Sequence, residues 1–233
     1  ISLQDAQILG YEALSRGPEG NALEYPDMLF GTAKRFGKTW ELEYLCRAKA
    51  LERAKEIFPD HMLFLNVDPH VIYDEKFRRG FTKEYLEKYG IDPANIIFEI
   101  TEKSSTENFK GFKQIIDNYV EQGYKIAIDD TGSGYSGLNL LAEIDKDGLK
   151  QALLRTLREF CLATNIKIIA EGIETINELN TLIDLGIHYG QGYFIQRPSL
   201  VFEQVSEGVK KTIFERNRIK TLAYYHNSST IAI

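Results

Sequence analysis

In Ala127-Ile128-Asp129-Asp130-Thr131-Gly132, two carboxylates stand where a hydrophobic, strand-like run ends. The same arrangement recurs in Gly10–Arg16 (GYEALSR), Ile97–Glu102 (IFEITE) and Ala170–Glu174 (AEGIE). Carboxylates are costly to bring together unless protons or cations compensate them. Their recurrence at strand ends therefore predicts a shared site for a hard, oxygen-loving metal ion.

Alternation along the strands supports this interpretation. In a strand, Asp129 shares one face with Ala127, whereas Ile126 and Ile128 occupy the other. Each strand is thus predicted to turn aliphatic side chains toward covering helices and a polar side chain toward the opposite side. The other polar residues placed in this way are Glu12, Asn66, Glu99 and Glu171. Any single acid could instead cap a helix or lie on a solvated rim, but the whole set is poorly explained by capping.

Strand-like runs alternate with helical ones along the chain, which predicts an α/β fold with a parallel sheet covered by helices. Acids at the ends of several strands favour a closed barrel, since a barrel gathers those ends around one mouth. Helix ends are indicated by Gly123 and Gly186, and Thr175 with Glu178 forms a capping box. The predicted strands are Tyr11–Ser15, Met62–Val67, Ile96–Ile100, Lys125–Ile128, Ile166–Ala170 and Gly190–Ile195. The predicted helical regions are Tyr25–Phe58, Phe81–Tyr89, Asn108–Gln122, Ser136–Leu141, Ile176–Leu185 and Leu200 to about Arg218.

Composition narrows the class of protein. A chain of 233 residues with 43% hydrophobic content can bury the core of one large domain. Its formal charge of −6 argues against binding of a nucleic-acid polymer. No apolar run has the length of a membrane span and no signal peptide is visible at Ile1, so we expect a cytoplasmic domain. Cys46 and Cys161 lie in helical segments without a CxxC pair and are predicted to be reduced thiols.

Six ordered motifs resemble those of the EAL family of cyclic di-GMP phosphodiesterases. In chain order they are Glu12-Ala13-Leu14-Ser15-Arg16, Asn66 to Pro69, Glu99 to Glu102, Asp129 to Ser136, Ala170 to Glu174, and Gln191-Gly192-Tyr193. A single Glu-Ala-Leu tripeptide carries little information, whereas six motifs in order are specific. The resemblance extends from about Leu3 to Pro198.

The resemblance implies a modified TIM (β/α)8 barrel with its metal site at the carboxyl ends of the strands. It also implies hydrolysis of cyclic di-GMP to linear pGpG with two Mg²⁺ or Mn²⁺ ions. By motif, the metal ligands would be Glu12, Asn66, Glu99, Asp129, Asp130 and Glu171. Catalytic roles would fall to Glu171, Asp130 and the loop-anchoring Glu102, and substrate binding to Leu14, Arg16 and Gln191. Arg16 could instead be an ordinary surface arginine. Carboxylate and amide oxygens suit Mg²⁺ or Mn²⁺, whereas zinc would more often recruit His or Cys.

One family feature is missing. The family has a Lys-Ile-Asp strand whose lysine orients the attacking water, but here Ile144 is followed directly by Asp145. Lys146 and Lys150 lie in a polar helix start and are poor substitutes. Losing a strand would open a barrel, so we expect the natural protein to carry further residues at this point and before Ile1. The barrel domain is assigned to residues 1–218, and 219–233 to a tail or a linker to another module.

Three functions are compatible with these observations. Retention of the metal-ligand motifs favours an active phosphodiesterase, whereas the absent lysine keeps open a non-catalytic cyclic di-GMP receptor. A different TIM-barrel metal hydrolase would require the ordered motifs to be coincidental. The resemblance also allows a homodimer and a fused sensory or regulatory domain.

Overall fold

The computed structural model describes residues 1–68, 71, 73–101, 109–129 and 141–229. The chain divides into two compact units. One comprises Gly10–Tyr135, and the other combines Ile1–Leu9 with Ser136–Ile233. Each unit has its own hydrophobic core, so each is described by itself.

The unit Gly10–Tyr135 is built on a four-stranded sheet. Its strands are β1 (Gly10–Ala13), β2 (Met62–Asn66), β3 (Ile96–Thr101) and β4 (Lys125–Asp129), and they are hydrogen-bonded in the order β1-β2-β3-β4. Every neighbouring pair is parallel, which confirms the sequence prediction. All four strands therefore end at the same edge, which is where the polar motif residues lie.

Helices α1 (Pro26–Arg35), α2 (Thr39–Ala54), α3 (Phe81–Tyr89) and α4 (Phe109–Val120) belong to this unit. The sequence predicted a single helical region over Tyr25–Phe58. The structure divides it at Gly37, whose φ of 63° does not continue an α-helix. The core is formed by the aliphatic face of the sheet and one side of the helices, and Ile96, Phe98 and Ile100 are fully buried in it.

The second unit contains the short strands β5 (Ile169–Ala170) and β6 (Tyr189–Gly190), which pair in parallel. Its helices are α5 (Gly148–Ala163), α6 (Ile176–Leu185) and α7 (Glu207–Ser229). Residues Ile1–Leu9 are part of its core: Leu3 is buried, and its backbone N–H donates to the carbonyl of His188 at 3.0 Å. Cys46 in α2 and Cys161 in α5 are free thiols, as predicted.

The strands of the described residues pair as one four-stranded and one two-stranded sheet, and the sequence contains no Lys-Ile-Asp motif. Helix α7 begins at Glu207 rather than Leu200, because the Ser206 hydroxyl accepts from the Val209 N–H at its start. It continues to Ser229, so most of the predicted tail is helical, while the division into domain and tail remains a prediction. Over the ranges described above, no helix has both the length and the apolar character needed to cross a membrane.

Candidate functional site

Strand register places four of the predicted ligands on one face of the β1–β4 sheet. Asn66 lies directly beside Glu99, and Glu99 lies beside Ala127, two residues before Asp129. Glu12 pairs with Phe64, two residues before Asn66. Because side chains alternate between faces, all four polar residues share a face at the carboxyl end of the sheet. The parity predicted from the sequence is therefore confirmed.

Glu12 and Asn66 are in direct contact. The amide Nδ2 of Asn66 donates to Oε1 of Glu12 at 2.6 Å. Glu99 is 5% exposed, and its backbone carbonyl accepts from the Val67 N–H at 3.1 Å. Carboxylate oxygens and one amide are the donors that a hard divalent cation prefers, so these residues fit Mg²⁺ or Mn²⁺ by their chemistry. Within the described ranges, no three His, Cys, Asp or Glu side chains gather closely enough to hold a metal by themselves.

A cavity of about 630 Å³ opens beside this edge of the sheet. Its walls combine the strand ends with two helices, which gives it both apolar and charged surfaces. From the strands and the segments that follow them it is lined by Ala13–Arg16, Leu65–Asp68, Glu99 and Thr101; from α1 by Pro26, Asp27, Phe30 and Lys34; and from α2 by Glu43, Cys46, Arg47 and Ala50. The volume lies within the range of small-molecule sites.

The predicted substrate residues Leu14 and Arg16 both line this cavity. Leu14 is 44% exposed just beyond the end of β1. Arg16 is exposed, and its Nη1 donates to the backbone carbonyl of Ser15 at 2.8 Å. Lys34 of α1 adds a second exposed cation to the lining. Anionic phosphates are suitable partners for these two cations.

Sequence reasoning missed the contribution of helices α1 and α2. The α2 residues include a buried ion pair, with Nη2 of Arg47 lying 3.1 Å from Oε2 of Glu43. The sequence does contain a pattern that indicates this buried face of α2. Its buried residues are spaced three or four apart, as on one side of a helix: Trp40, Glu43, Arg47, Leu51 and Ala54. Charged residues in an otherwise apolar stripe indicate a paired, buried site. This stripe lies outside the acidic motifs.

Burial changes the ionisation of two groups on α2. It raises the pKa of the Glu43 carboxyl, and the positive charge of Arg47 opposes that shift. Burial also raises the pKa of the Cys46 thiol, although a hydrogen bond with Ser15 works in the other direction. The thiol is therefore a poor candidate for a nucleophile at neutral pH, despite lining the cavity.

Glu171 and Gln191 lie in the second unit, at the ends of its two strands. Ala170 pairs with Gly190, and the Gln191 N–H donates to the Ala170 carbonyl at 2.8 Å, so the next residues on each strand are neighbours. Glu171 is exposed and Gln191 is half-buried. A side chain at Gly192 would run into the Ile173 backbone, which explains the glycine after Gln191.

Two predicted site residues, Asp130 and Glu102, lie outside the described residues, as does the loop Gly132–Ser136.

The two lysines that follow Ile144, where the Lys-Ile-Asp strand is absent, contact neighbouring residues. Nζ of Lys150 donates to the Ala142 carbonyl at 2.6 Å, and Nζ of Lys146 lies 3.4 Å from Oε1 of Glu143.

Comparison with known proteins identifies the family of this chain. The EAL domain family matches residues 1–198. The chain is 30% identical over 213 residues to the probable cyclic di-GMP phosphodiesterase PdeB of Escherichia coli K12, a match that covers 84% of this chain. It spans only 41% of the length of that relative.

Solved structures of EAL proteins have a similar fold. The standalone EAL protein of Vibrio cholerae O395 in its c-di-GMP-bound form has a TM-score of 0.77 at 27% identity, covering 90% of this chain and 93% of that one. The Klebsiella pneumoniae BlrP1 complex with manganese and cyclic di-GMP has a TM-score of 0.74 at 27% identity, covering 82% of this chain and 52% of that one. These neighbours share the modified TIM-barrel fold expected from the sequence. From its motifs, its strand-end residues and these matches, the chain belongs to the EAL domain family.

Proposed function

We propose that this domain hydrolyses one phosphodiester bond of cyclic di-GMP to give linear pGpG, using two Mg²⁺ or Mn²⁺ ions. The observation that carries the proposal is the placement of Glu12, Asn66, Glu99 and Asp129 on one sheet face, at the edge beside a cavity of about 630 Å³. Support comes from the relative named as a cyclic di-GMP phosphodiesterase and from the manganese-containing nucleotide complex. This chain spans only 41% of the length of PdeB, and we propose that it is fused to a sensory or regulatory domain.

The proposed role of each residue follows from its chemistry. Glu12, Asn66, Glu99 and Asp129 would hold the divalent ions, together with Asp130 and Glu171. When bound, such ions polarise a phosphodiester and lower the pKa of a water molecule. Arg16 would bind a substrate phosphate through its guanidinium, and the exposed Leu14 would contact the nucleotide. By motif, Gln191 would contact the substrate and Glu102 would anchor the loop after Asp130.

The test is direct. Purified protein is incubated with cyclic di-GMP and either Mg²⁺ or Mn²⁺, and the products are separated by chromatography. We expect pGpG to form with either ion and not with a chelator. Unchanged substrate at high protein concentration, with nucleotide binding still measurable by calorimetry, would refute hydrolysis and assign the domain as a receptor.

The receptor is the second candidate because of one specific observation. The chain lacks the Lys-Ile-Asp strand, and the lysines that follow contact Ala142 and Glu143 instead. The Asp130→Asn variant tests the two-metal assignment. Hydrolysis should fall in this variant while nucleotide binding persists through Arg16 and the cavity. Wild-type turnover in this variant would contradict the two-metal assignment.

A further inference from the structure

A buried charged network lies on α2, behind the strand ends that carry the proposed ligands. Glu43 and Arg47 are 5% and 3% exposed. Besides its contact with Glu43, Arg47 donates through Nη1 to the Thr82 hydroxyl at 3.2 Å. Its guanidinium carbon lies 4.9 Å from the ring centroids of both Phe81 and Phe98. These contacts fix the guanidinium in place, and with it the carboxylate of Glu43.

The second oxygen of Glu43 reaches the end of strand β2. Oε1 accepts a hydrogen bond from the backbone N–H of Asp68 at 3.1 Å. The preceding amide, that of Val67, donates to the carbonyl of Glu99 at 3.1 Å. The two residues that follow Asn66 are therefore anchored in succession, one to the neighbouring strand and one to α2. This double anchor leaves little freedom for the backbone that carries Asn66.

Stability alone is a weak explanation for this network. Removing two charges from water is costly, and apolar residues of similar volume often replace a buried pair without loss of stability. A carboxylate that accepts from a backbone amide instead fixes the amide at a defined position. Groups that orient metal ligands in this way commonly change metal affinity about 10- to 100-fold when they are removed.

We propose that Glu43, held by Arg47, is a positioning residue that fixes the carboxyl end of β2 and thereby places Asn66 beside Glu99 for binding a divalent cation. The inference rests on the proposed function, since it assigns a role to Glu43 in that same site. In this role Glu43 acts through the Asp68 backbone.

The experiment compares metal affinity with stability, both in the absence of nucleotide. The double variant Glu43→Met/Arg47→Met removes both charges while conserving side-chain length, so neither charge is left buried alone. We expect its melting temperature to stay close to that of the wild type, while its dissociation constant for Mn²⁺, measured by calorimetry, rises about 10-fold or more. The matched control is Leu86→Ala in the same core, which should lower the melting temperature but leave Mn²⁺ affinity unchanged.

A second measurement uses the unaltered protein. In a hydrogen-exchange experiment, the Asp68 amide of the wild type should be protected. Exchange of this amide at the rate of an unstructured peptide would overturn the inference, as would wild-type Mn²⁺ affinity in the double variant. Absence of Mn²⁺ binding by the wild type would instead refute the proposed function and this inference together, so the two failures are distinguishable.

Discussion

Glu12 lies within hydrogen-bonding distance of Asn66, at 2.6 Å, and on the same sheet face as Glu99 and Asp129. Substituting Glu12 with alanine should lower turnover of cyclic di-GMP more than about 100-fold, because loss of a direct ligand should exceed the effect of losing an outer partner. The melting temperature should not fall, since removing a carboxylate reduces repulsion at a metal-free site. Chromatographic assays and thermal unfolding measure the two quantities.

Asp129→Ala should lose turnover to a similar extent, because Asp129 occupies the same sheet face on β4. The control is Glu52→Ala, which removes an exposed acid on α2 and should leave turnover unchanged. A loss of cooperative unfolding in the Asp129 variant would assign this residue a structural role instead.

The sheet face of several candidate site residues could be predicted from the sequence because side chains alternate along a strand. Alternation along β3 and β4 was enough to place Glu99 and Asp129 on one face. The role of Glu43 could not be predicted, because its partner amide at Asp68 is 25 residues away and is brought near only by packing of α2 on the sheet. Sequence motifs identify polar residues at strand ends. A backbone contact between residues that are far apart in the sequence produces no local pattern.

Strand β3 is the central element of the first core. Phe98 is fully buried, and its ring centroid lies 4.4 Å from that of Tyr119 and 5.0 Å from that of Tyr124. Phe98→Ala should lower the free energy of unfolding by about 3–5 kcal/mol, because it leaves a large cavity among packed side chains. The matched control Phe36→Ala removes a ring that is 70% exposed and should change it by no more than about 0.5 kcal/mol. Urea denaturation measures both variants, and equal losses would contradict this account of the core.

Helix α6 begins with the predicted capping box. Oε2 of Glu178 accepts from the Thr175 N–H at 2.9 Å and the Glu174 N–H at 3.0 Å, while Thr175 Oγ1 accepts from the Glu178 N–H at 3.2 Å. Burial favours the neutral acid, but the backbone amides together hold the pKa of Glu178 below its ordinary value. Because the folded pKa is the lower one, the carboxylate stabilises the fold fully above about pH 4.5. This stabilisation is lost as the pH falls through the folded pKa.

Comparison of the wild type with Glu178→Gln tests this pH dependence. The difference in unfolding free energy between them should be largest near neutral pH and should shrink below about pH 4.5. Denaturant titrations at several pH values measure it, and a difference that does not vary with pH would contradict the ionic capping interaction.

Elements with strong end signals were predicted closely, since Phe81–Tyr89 and Ile176–Leu185 have the predicted bounds. The last two strands were predicted too long. Each consists of only two residues, because the chain turns after Ala170 and after Gly190 to pack around Ile173. A hydrophobic run such as Ile166–Ala170 indicates that the segment is buried. It does not indicate how many of its residues form hydrogen bonds with a neighbouring strand.

Replacement of the metal ion should affect the binding of cyclic di-GMP and its hydrolysis differently. With Ca²⁺ in place of Mn²⁺, we expect cyclic di-GMP binding to persist while pGpG formation falls at least about 10-fold, because the larger ion accepts a looser coordination. Calorimetry and product chromatography on the same preparation test this expectation. Equal turnover with the two ions would contradict a compact two-metal geometry.

The second unit joins the beginning of the chain to its second half, since Leu3 is buried against residues that follow Ser136. On the ribosome, Leu3 is made 185 residues before its hydrogen-bond partner His188. At synthesis rates of about 5–20 residues per second, Leu3 waits roughly ten seconds or longer for its core. The Gly10–Tyr135 unit has no such delay, because all of its residues have been made before the second unit can close. The nascent chain should therefore complete the cavity-bearing unit Gly10–Tyr135 first, while Ile1–Leu9 stays open to non-native contacts until His188 has been made.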